Sequence, residues 1–130
     1  MKIENIKFKA KRLDNGEWVY GSLIRSTAGV KERAYIVDNF SSMSDYSVIG
    51  IDPSTVCQYT GLKDCEGNEI WEGDIVEFEI YDLYKGNIKI EAVIEYTNSG
   101  YVAVADGISY SLCTRNIRVV GNKYDKADKV

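Results

Sequence analysis

Polar and apolar residues alternate through most of this chain. Ile6 to Lys11 has period two, with Ile6, Phe8 and Ala10 on one face and three lysines on the other. That pattern predicts an edge strand whose solvated lysine row discourages edge-to-edge pairing. Asp14-Asn15-Gly16 predicts a type I′ hairpin turn, because Asn-Gly accepts positive φ at both central positions. The returning strand, 17–24, sets Trp18, Tyr20 and Ile24 on one face. Residues 26–32 read as a loop and 33–37 as a short strand. Asp38 to Asp45 contains Ser41, Ser42 and Ser44 and reads as an irregular stretch, a mobile surface loop or a segment ordered only by a partner. Asp52-Pro53-Ser54 marks a corner at the single proline.

The second half repeats the signal. Val76, Phe78 and Ile80 share a face. After a turn from Asp82 to Asn87 around Gly86, Ile88, Ile90, Ala92, Ile94 and Tyr96 form the cleanest stripe in the protein. Lys89, Glu91 and Glu95 lie opposite, interrupted by Val93. Tyr101 to Ala105 is a near-continuous apolar run, as in a strand buried on both faces. Turns fall at 98–100 and 106–107, and strands are predicted near 108–112 and 117–120. Cys113 to Asn116 suits one helical turn, and Asn122 onward reads as a fraying tail.

Between the halves lies the most informative stretch, 58–76. Asp64-Cys65-Glu66-Gly67 fits a type I turn in which Asp64 accepts a backbone hydrogen bond and Gly67 takes positive φ, producing a G1 bulge. Glu72-Gly73-Asp74 makes a second corner a few residues later. Asp64, Gly67, Gly73 and Asp74 are thus a structural turn motif. Two sharp corners so close together suit a small barrel, the alternative being an ordinary meander with two turns. The expected fold is all-β: small twisted sheets with an SH3-like or related partly open barrel in the C-terminal half. Residues 1–121 are read as one compact domain, divisible into an N-terminal sheet lobe (1–52) and a C-terminal barrel lobe (53–121), with 122–130 as the tail.

This stretch also carries a resemblance. Thr60 to Asp64, the Gly67 turn and Glu72-Gly73-Asp74-Ile75-Val76 resemble the YopX family of phage and prophage proteins. Lys7-Phe8-Lys9-Ala10 and Gly16 to Gly21 resemble that family's opening, and Val119 to Asp125 its closing motif. Three islands in the same order cover most of the chain. Cys57, Lys11 and Trp71 depart from residues usual at those positions, and the closing segment lacks an Asn-Pro-Glu continuation. The resemblance implies a small β-rich phage protein. It brings no catalytic residues to carry over.

Composition narrows the function. The 130 residues carry a net charge of −4, against the basic surplus that phosphate neutralisation favours in nucleic-acid binders. Ten tyrosines suit half-wet strands and interfaces. The absence of histidine removes Ser-His and Cys-His nucleophile arrangements and histidine zinc sites. Three cysteines without paired spacing argue against a disulfide framework and suit a reducing compartment. The N-terminus lacks a secretory apolar region, and no apolar run reaches the ~20 residues of a membrane helix. The expectation is a cytoplasmic protein, in a bacterial host on the family resemblance, without cofactor, metal or membrane partner.

Asp64, Glu66, Glu72 and Asp74 group four carboxylates beside two turns, but Asp64 and Asp74 already have turn roles and the spacing is not that of an EF-hand. No catalytic residue is nominated. The favoured function is a non-catalytic module that binds protein or assembles with itself, through a contact surface near Trp18, Tyr35 and Trp71. The alternative is a nucleic-acid-binding barrel with aromatic platforms and a basic groove.

Overall fold

The period-two stripes become strands. The computed structural model describes residues 2–26, 33–42, 45–112 and 116–127. Among them are eleven strands: β1 (Phe8–Lys11), β2 (Trp18–Ser26), β3 (Arg33–Ser42), β4 (Asp45–Ile51), β5 (Cys57–Lys63), β6 (Glu69–Trp71), β7 (Asp74–Asp82), β8 (Gly86–Thr97), β9 (Gly100–Ala105), β10 (Ile108–Tyr110) and β11 (Arg118–Asn122). A helix, α1 (Lys123–Ala127), follows, and 3₁₀ turns occupy Ile3–Asn5 and Pro53–Thr55. The fold is all-β, with antiparallel sheets that are not closed into a barrel. The chain divides into two units, Met1–Tyr59 and Thr60–Val130.

The division falls inside β5, not at Pro53. Asp52 N donates to Lys11 O at 2.9 Å, and Lys11 N donates to Thr55 Oγ1 at 2.9 Å. Lys9 pairs with Cys57, and Val56 packs on the core of the first unit. These contacts hold the proline corner to β1.

In the first unit the strand order is β4-β3-β2-β1-β5. Ala10, Val19, Ala34, Ile36 and Ile51 make the core on one face, with Phe8, Leu23, Ile49 and Val56 packed around them. The lysine-bearing strand, expected at an edge, lies inside the sheet. Phe8 pairs with Gly21 on one side and Gln58 on the other. Alternation shows which residues share a face but not how many neighbours a strand has. Turn 12–17 also differs from expectation. Gly16 has φ 73° but Asn15 does not have positive φ, so the turn is not type I′. Gly16 N donates instead to Arg12 O at 3.0 Å, and Asn15 Oδ1 accepts Glu17 N at 2.9 Å.

The serine-rich stretch read as a loop is strand up to Ser42 and again from Asp45. Asp38 pairs with Ser47 and Ser42 with Asp45, with a register shift between Asp38 and Ser42. Pairing along the hairpin overrides the weak β propensity of serine. Residues 43–44 lie outside the described residues, as do 27–32 of the loop read at 26–32 and 113–115 of the helical turn read at 113–116.

In the second unit the order is β10-β9-β8-β7-β11. Val76, Phe78, Ala92, Ile94 and Ala103 bury one face, with Ile70, Leu112 and Ile117 in the same core. The Phe78 and Tyr110 rings meet edge to face at 5.1 Å. β9 is not buried on both faces: only Ala103 is fully buried, while Val102 and Val104 are half-buried on the opposite side. The C-terminal segment is not frayed from Asn122. Asn122 is buried, and its Oδ1 accepts Tyr124 N at 2.9 Å where α1 begins.

Candidate contact surface

Hairpin β7–β8 outruns the core that its stem builds. Val76, Phe78, Ala92 and Ile94 are buried, Ile80, Ile88 and Ile90 are half-buried, and the tip is bare. Asp82 pairs with Gly86, closing a three-residue loop of Leu83, Tyr84 and Lys85. Asp82 Oδ1 accepts Tyr84 N at 2.8 Å and Lys85 N at 3.0 Å, and Gly86 supplies φ 75°. The turn is therefore shaped by its own hydrogen bonds. Leu83 is 85% exposed and Tyr84 95%, with exposed Tyr81 beside them.

Toward the other end of the same hairpin the outer face of the sheet is also apolar. Ile75 pairs with Val93, and Val93 with Val104, so the three line up across β7, β8 and β9. With Ala105 they line a cleft of about 470 Å³ bordered by Glu91, Asp106 and Lys123. This gives a reason for Val93, which breaks the charged stripe of β8. Between tip and cleft the outer face is ionic: Arg118 pairs with Glu77, and Lys89 Nζ lies 3.7 Å from Glu77.

The turn-motif carboxylates are taken up by the backbone. Asp64 Oδ1 accepts Glu66 N at 2.9 Å and Asn68 N at 2.8 Å, while Oδ2 accepts Val119 N at 2.9 Å. Burial alone would raise its pKa; the hydrogen bonds from Val119, Asn68 and Glu66 outweigh that and hold it below the usual aspartate value. Gly67 N donates to Asp64 O at 3.1 Å, and Gly67 and Gly73 both have φ 86°. Asp74 is buried; its Oδ2 accepts Trp71 N at 2.8 Å and its Oδ1 accepts Asn122 Nδ2 at 3.0 Å. Gly73 N donates to Ile94 O and Gly73 O accepts Lys123 N, so this corner holds both β8 and α1. Glu66 remains exposed on the turn, 4.0 Å from Arg118 Nε. Asp64 and Asp74 thus act as structural acceptors.

The aromatic residues expected to form one contact surface have different environments. Trp71 is 4% exposed, which removes it from any exposed surface. Trp18 and Tyr35 are half-buried in the first unit. On their face Tyr20, Ile24 and Val48 are exposed. The lysines of β1 are not a solvated row. Lys9 and Lys11 are 7% and 9% exposed, with ammonium groups 4.7 and 5.4 Å from the Trp18 ring centre. Lys7 lies 4.8 Å from the Tyr59 ring centre. Cation–π contact keeps such charges tolerable at low exposure.

Sequence reasoning passed over the tip as an ordinary turn. The available signal was its composition: Leu83 and Tyr84 occupy loop positions where polar residues are the norm.

A family model described as YopX protein matches residues 7–129, nearly the whole chain. No curated protein matches the chain. Among the described residues, no helix is long and apolar enough to cross a membrane.

Proposed function

The chain belongs to the YopX family, and from that premise we propose that it is a non-catalytic protein-contact module whose contact element is the tip of hairpin β7–β8. The observation that carries this reading is the exposure of Leu83 and Tyr84 on a turn fixed by Asp82. An apolar group held in shape before binding loses little conformational freedom when a partner covers it. Tyrosine at the centre of such a patch supplies a large contact area and a hydroxyl for the rim.

Protein is favoured over nucleic acid as the partner because of the lysines. The two cations on the Trp18 ring, Lys9 and Lys11, are buried against it and do not form an open basic groove. The non-catalytic reading is supported by the saturation of Asp64 and Asp74 with backbone and amide donors.

A photo-cross-linking residue at position 84, in the chain expressed in its native cells, tests the proposal. Discrete protein adducts that vanish with Leu83→Ser are expected. Adducts only to nucleic acid, or to no macromolecule, would overturn it.

A further inference from the structure

We propose that the occupant of the tip is a second copy of this chain, with the hairpin tip of one copy seated in the outer-face cleft of the next. This inference rests on the protein-contact reading and adds the partner. The tip and the cleft lie toward opposite ends of one hairpin. The register places Asp82 and Gly86 at the tip and Ile75 and Val93 beside the cleft. At ~3.4 Å per residue the seven-residue offset is roughly 24 Å along the strand, so a tip cannot fold back into its own cleft. A contact between them joins different copies.

The chemistries match. The tip presents Leu83 and Tyr84, with Tyr81 behind them. The cleft is open, about 470 Å³ in volume, with an apolar floor of Ile75, Val93, Val104 and Ala105. Glu91, Asp106 and Lys123 stand at the rim, two acids to one base and so net acidic, and Lys85 is the tip's cation. With the tip seated, Lys85 meets the acidic rim while Leu83 and Tyr84 cover the valines. The Asp82 hydrogen bonds hold the loop ready for this.

Such a contact is heterologous: each copy uses its tip on one neighbour and its cleft on another. Assembly then proceeds head to tail, into a ring if the rotation closes and a filament if it does not.

Sedimentation of the full chain across a dilution series tests this with two variants. Leu83→Ser/Tyr84→Ser removes the tip, and Val104→Arg blocks the cleft with a cation that also repels Lys85. Melting curves establish that each variant folds; if Val104→Arg does not, Glu91→Lys at the exposed rim replaces it. Wild type should give species larger than a dimer as concentration rises, and each variant alone a monomer. An equimolar mixture of the two variants should give a dimer and nothing larger, because one intact tip and one intact cleft make a single contact. Monomeric wild type at every concentration, a mixture that stays monomeric, or a variant that assembles like wild type would each overturn the proposal. Protein adducts at position 84 to some other protein, with the pure chain monomeric, would remove the head-to-tail contact and leave the protein-contact reading standing.

Discussion

The carboxylate of Asp64 holds the backbone amide of Val119 at 2.9 Å, across 55 positions of sequence. The same carboxylate closes the 64–68 turn through the amides of Glu66 and Asn68. One side chain thus shapes a local turn and binds it to β11. Asp64→Asn keeps one acceptor oxygen and loses the second. Leaving a donor of this kind unsatisfied costs about 1–3 kcal/mol, which denaturant unfolding at neutral pH will measure. Since the folded pKa is lowered, the carboxylate's contribution is present above the ordinary aspartate value and is lost as pH falls through the folded one. The stability gap between wild type and Asp64→Asn should therefore narrow on acidification below the ordinary value.

Gly67 has φ 86° and open space where a Cβ would stand. The cost of a side chain there is backbone strain without a clash. Gly67→Val should destabilise by more than ~1 kcal/mol, because a β-branched residue is strained at positive φ. An unchanged melting temperature would show that the turn does not need that conformation.

Gly21 presents the opposite case. A Cβ at this position would lie 2.1 Å from the carbonyl oxygen of Val37. That neighbour is backbone and cannot rotate away. Gly21→Ala should cost more than Gly67→Ala and should disturb the β2–β3 pairing. Hydrogen exchange at the Ser22–Val37 pair reads the local effect, and chemical denaturation the global one.

Tyr101 is pushed up to about 12, first by burial and then by the charges of Glu72 and Tyr96. Its unfolded value is about 10. Between those values the native state holds a proton that the unfolded state has released, so stability falls as pH rises through this window. Tyr101→Phe should flatten that alkaline decline while leaving stability near neutral pH little changed. Denaturant midpoints of both proteins across the alkaline range make the comparison.

Nucleic-acid affinity should stay in the non-specific range, roughly 10⁻⁴ to 10⁻⁶ M at physiological salt. The double substitution Lys9→Gln/Lys11→Gln should leave that affinity unchanged, since both lysines are buried against Trp18. Fluorescence anisotropy with labelled single- and double-stranded DNA checks both statements. Submicromolar binding abolished by that pair would reverse the choice of partner.

Local chemistry determined much of this protein from sequence alone. Period-two alternation set the all-β class and the facing of Val76, Phe78, Ala92 and Ile94. The 64–67 and 72–74 corners follow from residues that choose their own backbone angles, Gly67 and Gly73, and from aspartates that accept nearby amides. The tertiary structure decided what depends on neighbours distant in sequence. Lys7 to Lys11 alternates like an edge strand, but partners on both sides make β1 interior and bury two lysines on Trp18. Asn15-Gly16 and Asp106-Gly107 look alike as dipeptides, but positive φ at both positions occurs only in the second, where paired strands leave a two-residue loop. Trp71 and Tyr84 are both large aromatics beside turns. Asp74 ties the Trp71 amide into a buried corner, whereas β7 and β8 carry Tyr84 beyond the end of the core. Alternation fixes the side of a strand on which a residue lies; burial depends on how far the packing from the rest of the chain extends over that side.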